Sequence, residues 1–373
     1  MPKPHSFDRL GGVEQLVRLP QVPIIPPLPT DPTVPQTSQS SAETSLPSAA
    51  VLKAFQNAKT VLLSGHENPD GDCIGAQAAL ARVLEAMGKT VHILNPDPPE
   101  AVFDYLSCEV AYGTFQGGDL PDHDLCVLTD ISELGRCGAL SGPLGAHPST
   151  KLVVDHHVHH GEEWWDLAYV DRTASATGLL VYRLAKALGV ELDTVAANGV
   201  FTSLVTDTGW FKYSNTDAET LRIAGEMIGL GVKSDRLYAS IFQRNLSALP
   251  VELGELLRGL EYFGGGKIAL LAADPDHGPF ESNTDVLHDI LRSVEVVEVV
   301  LFLRQTSDGR IKLSARSKND WNVNALARRF GGGGHVKASG ATLQGPMDRA
   351  RSELLEAALE QYASELSGGA VAR

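Results

Sequence analysis

Three side chains able to bind a cation stand close together in the stretch His66-Glu67-Asn68-Pro69-Asp70-Gly71-Asp72. An imidazole and two carboxylates this near one another repel or stand idle unless a cation joins them, and the donor set suits Mn2+, Mg2+ or Fe2+. Read alone, the stretch is equally a solvated acidic turn punctuated by Pro and Gly. Further along the chain come Asp130, the run Asp155-His156-His157, and Asp207. Each has an ordinary explanation too. Asp130 can cap a helix at Ile131-Ser132-Glu133, the histidines can belong to a loop with His159 and His160, and Asp207 can be a turn residue. Their shared placement argues against coincidence, because each stands at the end of an apolar strand or helix. Together they are roughly what two five- or six-coordinate cations require if one carboxylate is shared. Cations so held acidify a water molecule and stabilise both the attacking and the leaving oxygen of a phosphoryl transfer.

The elements that must position these groups read as a βα alternation. A short helix over Leu52 to Ala58 precedes an apolar run, Thr60-Val61-Leu62-Leu63-Ser64-Gly65, of the length and character of a buried parallel strand. A helix from Asp72 to Met87, ending at Gly88, follows the acidic stretch. Further strands are predicted at Thr90 to Leu94, at Leu125 to Thr129 ending on Asp130, and at Lys151 to Val154 ending on Asp155. Strands alternating with helices imply a parallel, doubly wound sheet, whose carboxyl edge is where such folds bind ligands. Helices then run from Ala176 to Leu188 and from Asp193 to Thr206, the second delivering Asp207. Thr216-Asp217-Ala218-Glu219 is a capping box.

From about residue 251 the grammar changes. A helix over Val251 to Tyr262 leads to three glycines and a strand over Lys267 to Ala273. Val296 to Arg304 and Arg310 to Ala315 read as strands around a Ser307-Asp308-Gly309 hairpin turn. A helix from Val323 to Phe330 runs into Gly331-Gly332-Gly333-Gly334-His335, then come a strand over Ala338 to Leu343 and a helix over Met347 to Leu366. Four glycines in a row are a flexible linker in one reading. In the other, they allow close backbone approach to a phosphate that the nearby Arg316 and Ser317 also bind.

Taken together, His66-x-Asn68-Pro69-Asp70-Gly71-Asp72, Asp130, Asp155-His156-His157 and Asp207 resemble the four motifs of the DHH phosphoesterase superfamily. Gly331-Gly332-Gly333-Gly334-His335, preceded by Ser314-Ala315-Arg316-Ser317, resembles the DHHA1 domain of its nano-RNase and oligoribonuclease branch. The match covers roughly residues 50 to 345. Cys73 and Ala76 depart from it, at positions that touch helix packing more than ligation. The resemblance implies two Mn2+, with Mg2+ or Co2+ as substitutes. One would be held by His66, Asp70 and Asp207, the other by Asp72 and His156, with Asp130 bridging. It makes Asp130 and His157 the catalytic pair, His157 facing the scissile phosphate. Asp155 would orient the ligating imidazole, with Asn68 in support behind the ligands. Arg316, Ser317, Gly332, Gly333, Gly334 and His335 would bind the nucleotide remote from the cleaved bond, in a cleft between the two domains. A homodimer through the first domain is implied as well.

Composition bounds the partners. A net charge of −15 over 373 residues excludes a broad basic footprint for long nucleic acid, yet leaves room for a short phosphorylated substrate held by cations. Four cysteines without a C-x-x-C pair read as reduced thiols of a cytoplasmic protein. No apolar run approaches the eighteen or so residues of a membrane span, and the N-terminus lacks a signal-peptide pattern. Ten of the 21 prolines fall before residue 48, which marks residues 1–47 as a flexible segment. The organisation expected is a catalytic α/β domain over 48–231, a linker over 232–250, and a smaller α/β substrate-binding domain over 251–373. The function expected is Mn-dependent hydrolysis of short oligonucleotides or dinucleotides to mononucleotides, with 3′-phosphoadenosine-5′-phosphate phosphatase activity beside it. The rivals are a cyclic-di-AMP or pApA phosphodiesterase and, from another class, a nucleotide-binding regulator with an inactive metal site.

Overall fold

A computed structural model of the chain describes residues 46–131, 133–157, 159, 163–273, 285–306, 308–319 and 321–368, without the side chains of residues 285, 335 and 365–368. Most of the segment before residue 48, Ser307 of the hairpin and His160 therefore lie outside the described residues. Two compact units form. One is the described part of Met1–Asp97 with Gly113–Ile223, and the other is Pro98–Tyr112 with Ala224–Arg373.

In chain order the first elements are α1 (Ala49–Asn57), β1 (Thr60–Ser64), α2 (Gly71–Ala86), β2 (Thr90–Asn95), α3 (Asp104–Ser107), β3 (Tyr112–Thr114) and β4 (Leu125–Thr129). They continue with α4 (Ser141–Ala146), β5 (Thr150–Asp155), β6 (Leu167–Val170), α5 (Thr177–Leu188), α6 (Thr194–Asp207) and α7 (Ala218–Gly229). The strands of the first unit make one sheet in the order β3-β2-β1-β4-β5-β6. The pairs β1–β2, β1–β4, β4–β5 and β5–β6 are all parallel. This is the doubly wound parallel sheet expected, and its strand order reverses between β1 and β4. Every residue of β4 is buried, as are Val61 to Ser64 of β1 and Lys151 to Asp155 of β5, because helices cover both faces. The short edge strands β3 and β6 were not anticipated.

Helix α2 is buried over nearly its whole length. It lies against α6 with backbone touching backbone: a Cβ on Gly75 would stand 2.4 Å from the Gly199 carbonyl oxygen, and one on Gly199 2.6 Å from that of Gly75. That close crossing brings the amino end of α2 beside the carboxyl end of α6, so Asp72 and Asp207 meet.

The second unit adds α8 (Ser234–Phe242), α9 (Leu249–Leu257), β7 (Glu261–Phe263), β8 (Ile268–Ala273), α10 (Asp285–Arg292) and β9 (Val299–Gln305). After them come β10 (Ile311–Ser317), α11 (Val323–Arg328), β11 (Gly333–His335), β12 (Ala338–Leu343) and α12 (Met347–Gly368). Its sheet runs β11-β12-β10-β9-β8-β7, with β8–β9 parallel and the other pairs antiparallel. Leu326 of α11 and Leu354 and Ala358 of α12 pack with Ile311, Leu313 and Ala315 on one face. Leu256 of α9 and Leu287 and Leu291 of α10 pack with Val300 and Phe302 on the other. Among the described residues, no helix is long and apolar enough to cross a membrane.

Candidate metal centre

The site grows from the carboxyl ends of β1, β4 and β5, at the reversal of strand order where open α/β sheets form a crevice. After β1 the chain turns sharply. Gly65 leaves no room for a Cβ, which would meet Cys73 Sγ at 2.2 Å, and Asn68 takes the left-handed conformation at φ 52°. His66 Nδ1 lies 2.8 Å from the Glu67 carbonyl and donates to it. That bond directs Nε2 toward Asp130 Oδ2 at 3.4 Å and Asp70 Oδ1 at 3.9 Å. Asp70 caps α2, accepting from the Asp72 and Cys73 amides.

Asp130 follows β4 in a strained left-handed conformation, φ 63°, while its amide still donates to the Val154 carbonyl at 3.0 Å. Its two oxygens face different neighbours. Oδ2 is toward His66, and Oδ1 lies 3.7 Å from His156 Nε2 and 3.5 Å from His157 Nδ1. His156 donates through Nδ1 to the Ala174 carbonyl at 3.1 Å. Its Nε2, buried and without a hydrogen-bond partner among the described residues, faces Asp72 Oδ2 at 3.4 Å and Asp207 Oδ2 at 3.9 Å.

These atoms form three overlapping groups, each with its ligand atoms within 4.8 Å of one another: His66, Asp70 and Asp130; Asp72, His156 and Asp207; and Asp130, His156 and His157. Asp130 joins the first group to the third, which suits a shared carboxylate. The electrostatics of the protein alone are unfavourable. Burial and the Asp72 charge push the Asp130 carboxyl well above its usual range. The same two causes lift Asp207 to about 7. Burial opposes protonation of His66, but hydrogen bonds to Asp130 and Asp70 outweigh it and raise the imidazole to about 10. His156, opposed by burial in the same way, is raised by Asp72, Asp130 and Asp207. Crowded carboxylates and an orphaned imidazole nitrogen are what a divalent cation would satisfy, so the residues fit such a group.

Three expectations need correction. Asp207 groups with Asp72 and His156, not with His66 and Asp70, because it ends α6, which packs on α2 where Asp72 lies. Asp155 Oδ1 accepts from His157, 2.8 Å from Nδ1 and 3.1 Å from the amide, so it orients His157; the Ala174 carbonyl orients His156. Asn68 is exposed rather than behind the ligands, and its backbone amide donates to Asp97 Oδ2 at 2.9 Å.

In the second unit, Ser317 departs from its expected role. It is buried, and its hydroxyl donates to the Trp321 carbonyl at 2.7 Å, bracing the turn after β10. Arg316 is half-buried, with Nη1 3.2 Å from the Ala315 carbonyl and 3.4 Å from Ser314 Oγ. The second half of the glycine run is strand rather than linker, pairing Gly333 with Gly340 and Gly334 with Ser339 of β12. The glycines differ in their reason. A Cβ at Gly332 would stand 2.1 Å from the Gly340 carbonyl oxygen, and Gly334 has φ 137° with only 2.6 Å to the Ala338 carbonyl oxygen. A Cβ at Gly333 would meet nothing within 4 Å. Register puts Gly333, Gly340 and Ser314 on one sheet face, with Arg316 and Ala338 one pair further along it. The side chain of His335 lies outside the described residues.

Sequence reasoning missed His288. Fully buried on α10, it places Nε2 2.8 Å from Ser314 Oγ, and burial with the nearby Arg316 charge pushes it down to about 3. It also missed Thr177 and Ser203, whose hydroxyls reach Asp130 and Asp72. The available signal was a Thr and a Gly opening a helix and a Ser one turn before Asp207.

Known proteins resemble the chain over both units. The DHH family, N-terminal domain, matches residues 60–203, and the DHHA1 domain matches residues 270–367. The bifunctional oligoribonuclease and PAP phosphatase NrnA of Thermus thermophilus is 34% identical over 316 residues, covering 84% of this chain and 93% of that protein. The protein of the same name from Bacillus subtilis is 28% identical, covering 76% of this chain and 89% of its own. Among solved structures, an exopolyphosphatase-related protein from Bacteroides fragilis superposes with a TM-score of 0.77 at 25% identity, covering 84% of this chain and 96% of that one.

Proposed function

We propose, from the premise that this chain belongs to the DHH–DHHA1 phosphoesterases of the oligoribonuclease and PAP phosphatase branch, that it hydrolyses short oligonucleotides to mononucleotides with Mn2+ and also removes phosphate from 3′-phosphoadenosine-5′-phosphate. The observation that carries the reading is the convergence of His66, Asp70, Asp72, Asp130, His156 and Asp207 in overlapping groups, with the buried His156 Nε2 lacking a hydrogen-bond partner among the described residues. Divalent cations held by these residues would supply Lewis acidity to a phosphoryl oxygen and acidify the attacking water.

The chain's own residues do the rest. His66 and His156 each donate Nδ1–H to a backbone carbonyl, which leaves Nε2 as the donor atom toward the cation. His157, fixed through Nδ1 by Asp155, is the imidazole that would meet a phosphate oxygen or a leaving group. In the second unit, Arg316 and the open face over Gly333 suit the nucleotide remote from the cleaved bond. Among the described residues a Cβ at Gly333 would meet nothing within 4 Å, so packing there does not account for that glycine. A homodimer and a cytoplasmic location belong to the same reading.

The test is a product time course with metal-stripped protein, with and without Mn2+, on 5′-labelled di- to decanucleotides, pApA, cyclic di-AMP and 3′-phosphoadenosine-5′-phosphate. Mononucleotides from the shortest oligomers and phosphate release from the last substrate are expected. Absence of turnover with Mn2+, Mg2+ and Co2+, or preference for the longest strand, would overturn it.

A further inference from the structure

The carboxylates and imidazoles of the cluster come from four separate stretches of chain, and a single short turn touches most of them. Between β6 and α5, the Ala174 carbonyl accepts from His156 Nδ1 at 3.1 Å. The Ser175 carbonyl accepts from Asn215 Nδ2, which also lies 3.1 Å from Asp207 Oδ2. The Thr177 amide donates to Asp72 Oδ2 at 2.9 Å, and its hydroxyl donates to Asp130 Oδ1 at 3.1 Å. The Gly178 amide donates to Ser203 Oγ at 2.8 Å and also to Asp72 Oδ1 at 3.2 Å. Ser203 completes the holder, its hydroxyl 2.5 Å from Asp72 Oδ1, and a Cβ on Gly178 would strike that hydroxyl at 2.2 Å.

Thr177 and Ser203 are fully buried, so these bonds replace hydration that the carboxylates cannot otherwise obtain. The amino end of α5 serves the same purpose. Its cap position is Ala176, which offers no side-chain acceptor, and the amides of Thr177 and Gly178 are satisfied by Asp72 from α2 and Ser203 from α6.

We propose that the turn Ala174–Gly178 is the positioning element of the cluster, with Thr177 as its principal positioning residue. It sets the angle between Asp72 and Asp130, and through Ala174 and Ser175 the orientations of His156 and Asp207. The proposal rests on the reading that the cluster holds divalent cations. Loss of such an outer contact costs metal sites about 10–100-fold in affinity.

The experiment is calorimetric titration of Mn2+ into metal-stripped wild type, Thr177→Val, Thr177→Ser and Ser203→Ala, with kcat measured at saturating Mn2+. Valine keeps the shape and the amide and removes only the hydroxyl. Thr177→Val should weaken Mn2+ binding at least tenfold and lower kcat even when saturated, while Thr177→Ser stays within about threefold of wild type. Should Thr177→Val fail to fold, Ser203→Ala carries the test through Asp72 and should show the same tenfold weakening. Wild-type affinity in Thr177→Val, or equal loss in valine and serine variants, would overturn the turn's role with the cation reading intact. A wild type that binds no divalent ion would overturn both.

Discussion

Replacing Asp207 by Asn should move the stability of the protein in opposite directions with and without metal. In the metal-free protein this carboxyl is raised from 3.8 to about 7 by burial and by Asp72. The folded state therefore holds a proton up to about pH 7 that the unfolded state releases near pH 4. Its contribution to stability is undiminished below pH 4 and falls as pH rises to 7, then stays flat. At about 1.4 kcal/mol for each tenfold, the full effect is about 4 kcal/mol. The side chain is 30% exposed, so water screens the interaction, and roughly 2 kcal/mol is the figure to expect. Asparagine does not titrate and can keep the contact with Asn215. Metal-free Asp207→Asn should therefore melt about 4–8 °C above wild type at pH 7.5. At pH 5 most of that gain should vanish, because there the wild-type carboxyl keeps its proton. Saturating Mn2+ should reverse the order, since the variant lacks a ligand and gains less from binding. Thermal melts of both proteins at the two pH values, with and without Mn2+, make the assay. A variant destabilised in the absence of metal, or a gain equal at pH 5 and 7.5, would refute the reasoning.

Asp130→Asn tolerates the left-handed backbone at φ 63° and should leave a folded protein with Mn2+-dependent turnover reduced to background, read by circular dichroism beside the labelled-dinucleotide assay. His156→Ala should lose bound metal, whereas His157→Ala should keep it and turn over slowly; equal metal loss by elemental analysis would put both imidazoles among the ligands. Gly332→Ala drives a methyl to 2.1 Å from the Gly340 carbonyl oxygen and should lower the melting temperature by several degrees, while Gly333→Ala meets nothing and should melt as wild type. Arg316→Ala should lower kcat/KM on dinucleotides by tenfold to a hundredfold, on the ~2–3 kcal/mol scale of charge-assisted phosphate bonds, and spare a chromogenic diester, and the same Gly333→Ala should lower it in the same selective way by placing a methyl on the open face. Equal damage to both substrates would deny the second unit its binding role.

Much of the first unit was legible because buried parallel strands are continuous apolar runs. The runs before His66, Asp130 and Asp155 become β1, β4 and β5, and a parallel sheet sends such ends to one edge. The edge strands β3 and β6 escaped notice, being short and half-exposed, with no run or alternation to mark them. In the second unit the alternation of β10 was readable, but β11 was not. Strand propensity argues against glycine, and the close backbone approaches of Gly332 to Gly340 and of Gly334 to Ala338 explain the glycines there.

Within the site, the types of the ligating residues were legible and their grouping was not. Which cluster Asp207 joins depends on how closely α6 packs on α2. That packing is set by Gly75 and Gly199, which in sequence are two ordinary helix glycines. Ser203 and Asp72 meet across 131 positions, and Thr177 and Asp130 across 47, with no local pattern linking them. One cue did exist before α5. A buried helix that opens on Ala176, where Ser, Thr, Asp or Asn would ordinarily cap it, leaves its first amides unsatisfied. Buried amides are not left so, and an acceptor from elsewhere in the fold has to reach them. Here the acceptor is Asp72, so the missing cap and the ligand-bearing carboxylate are one feature of the fold: α5 is completed by the group it helps to hold.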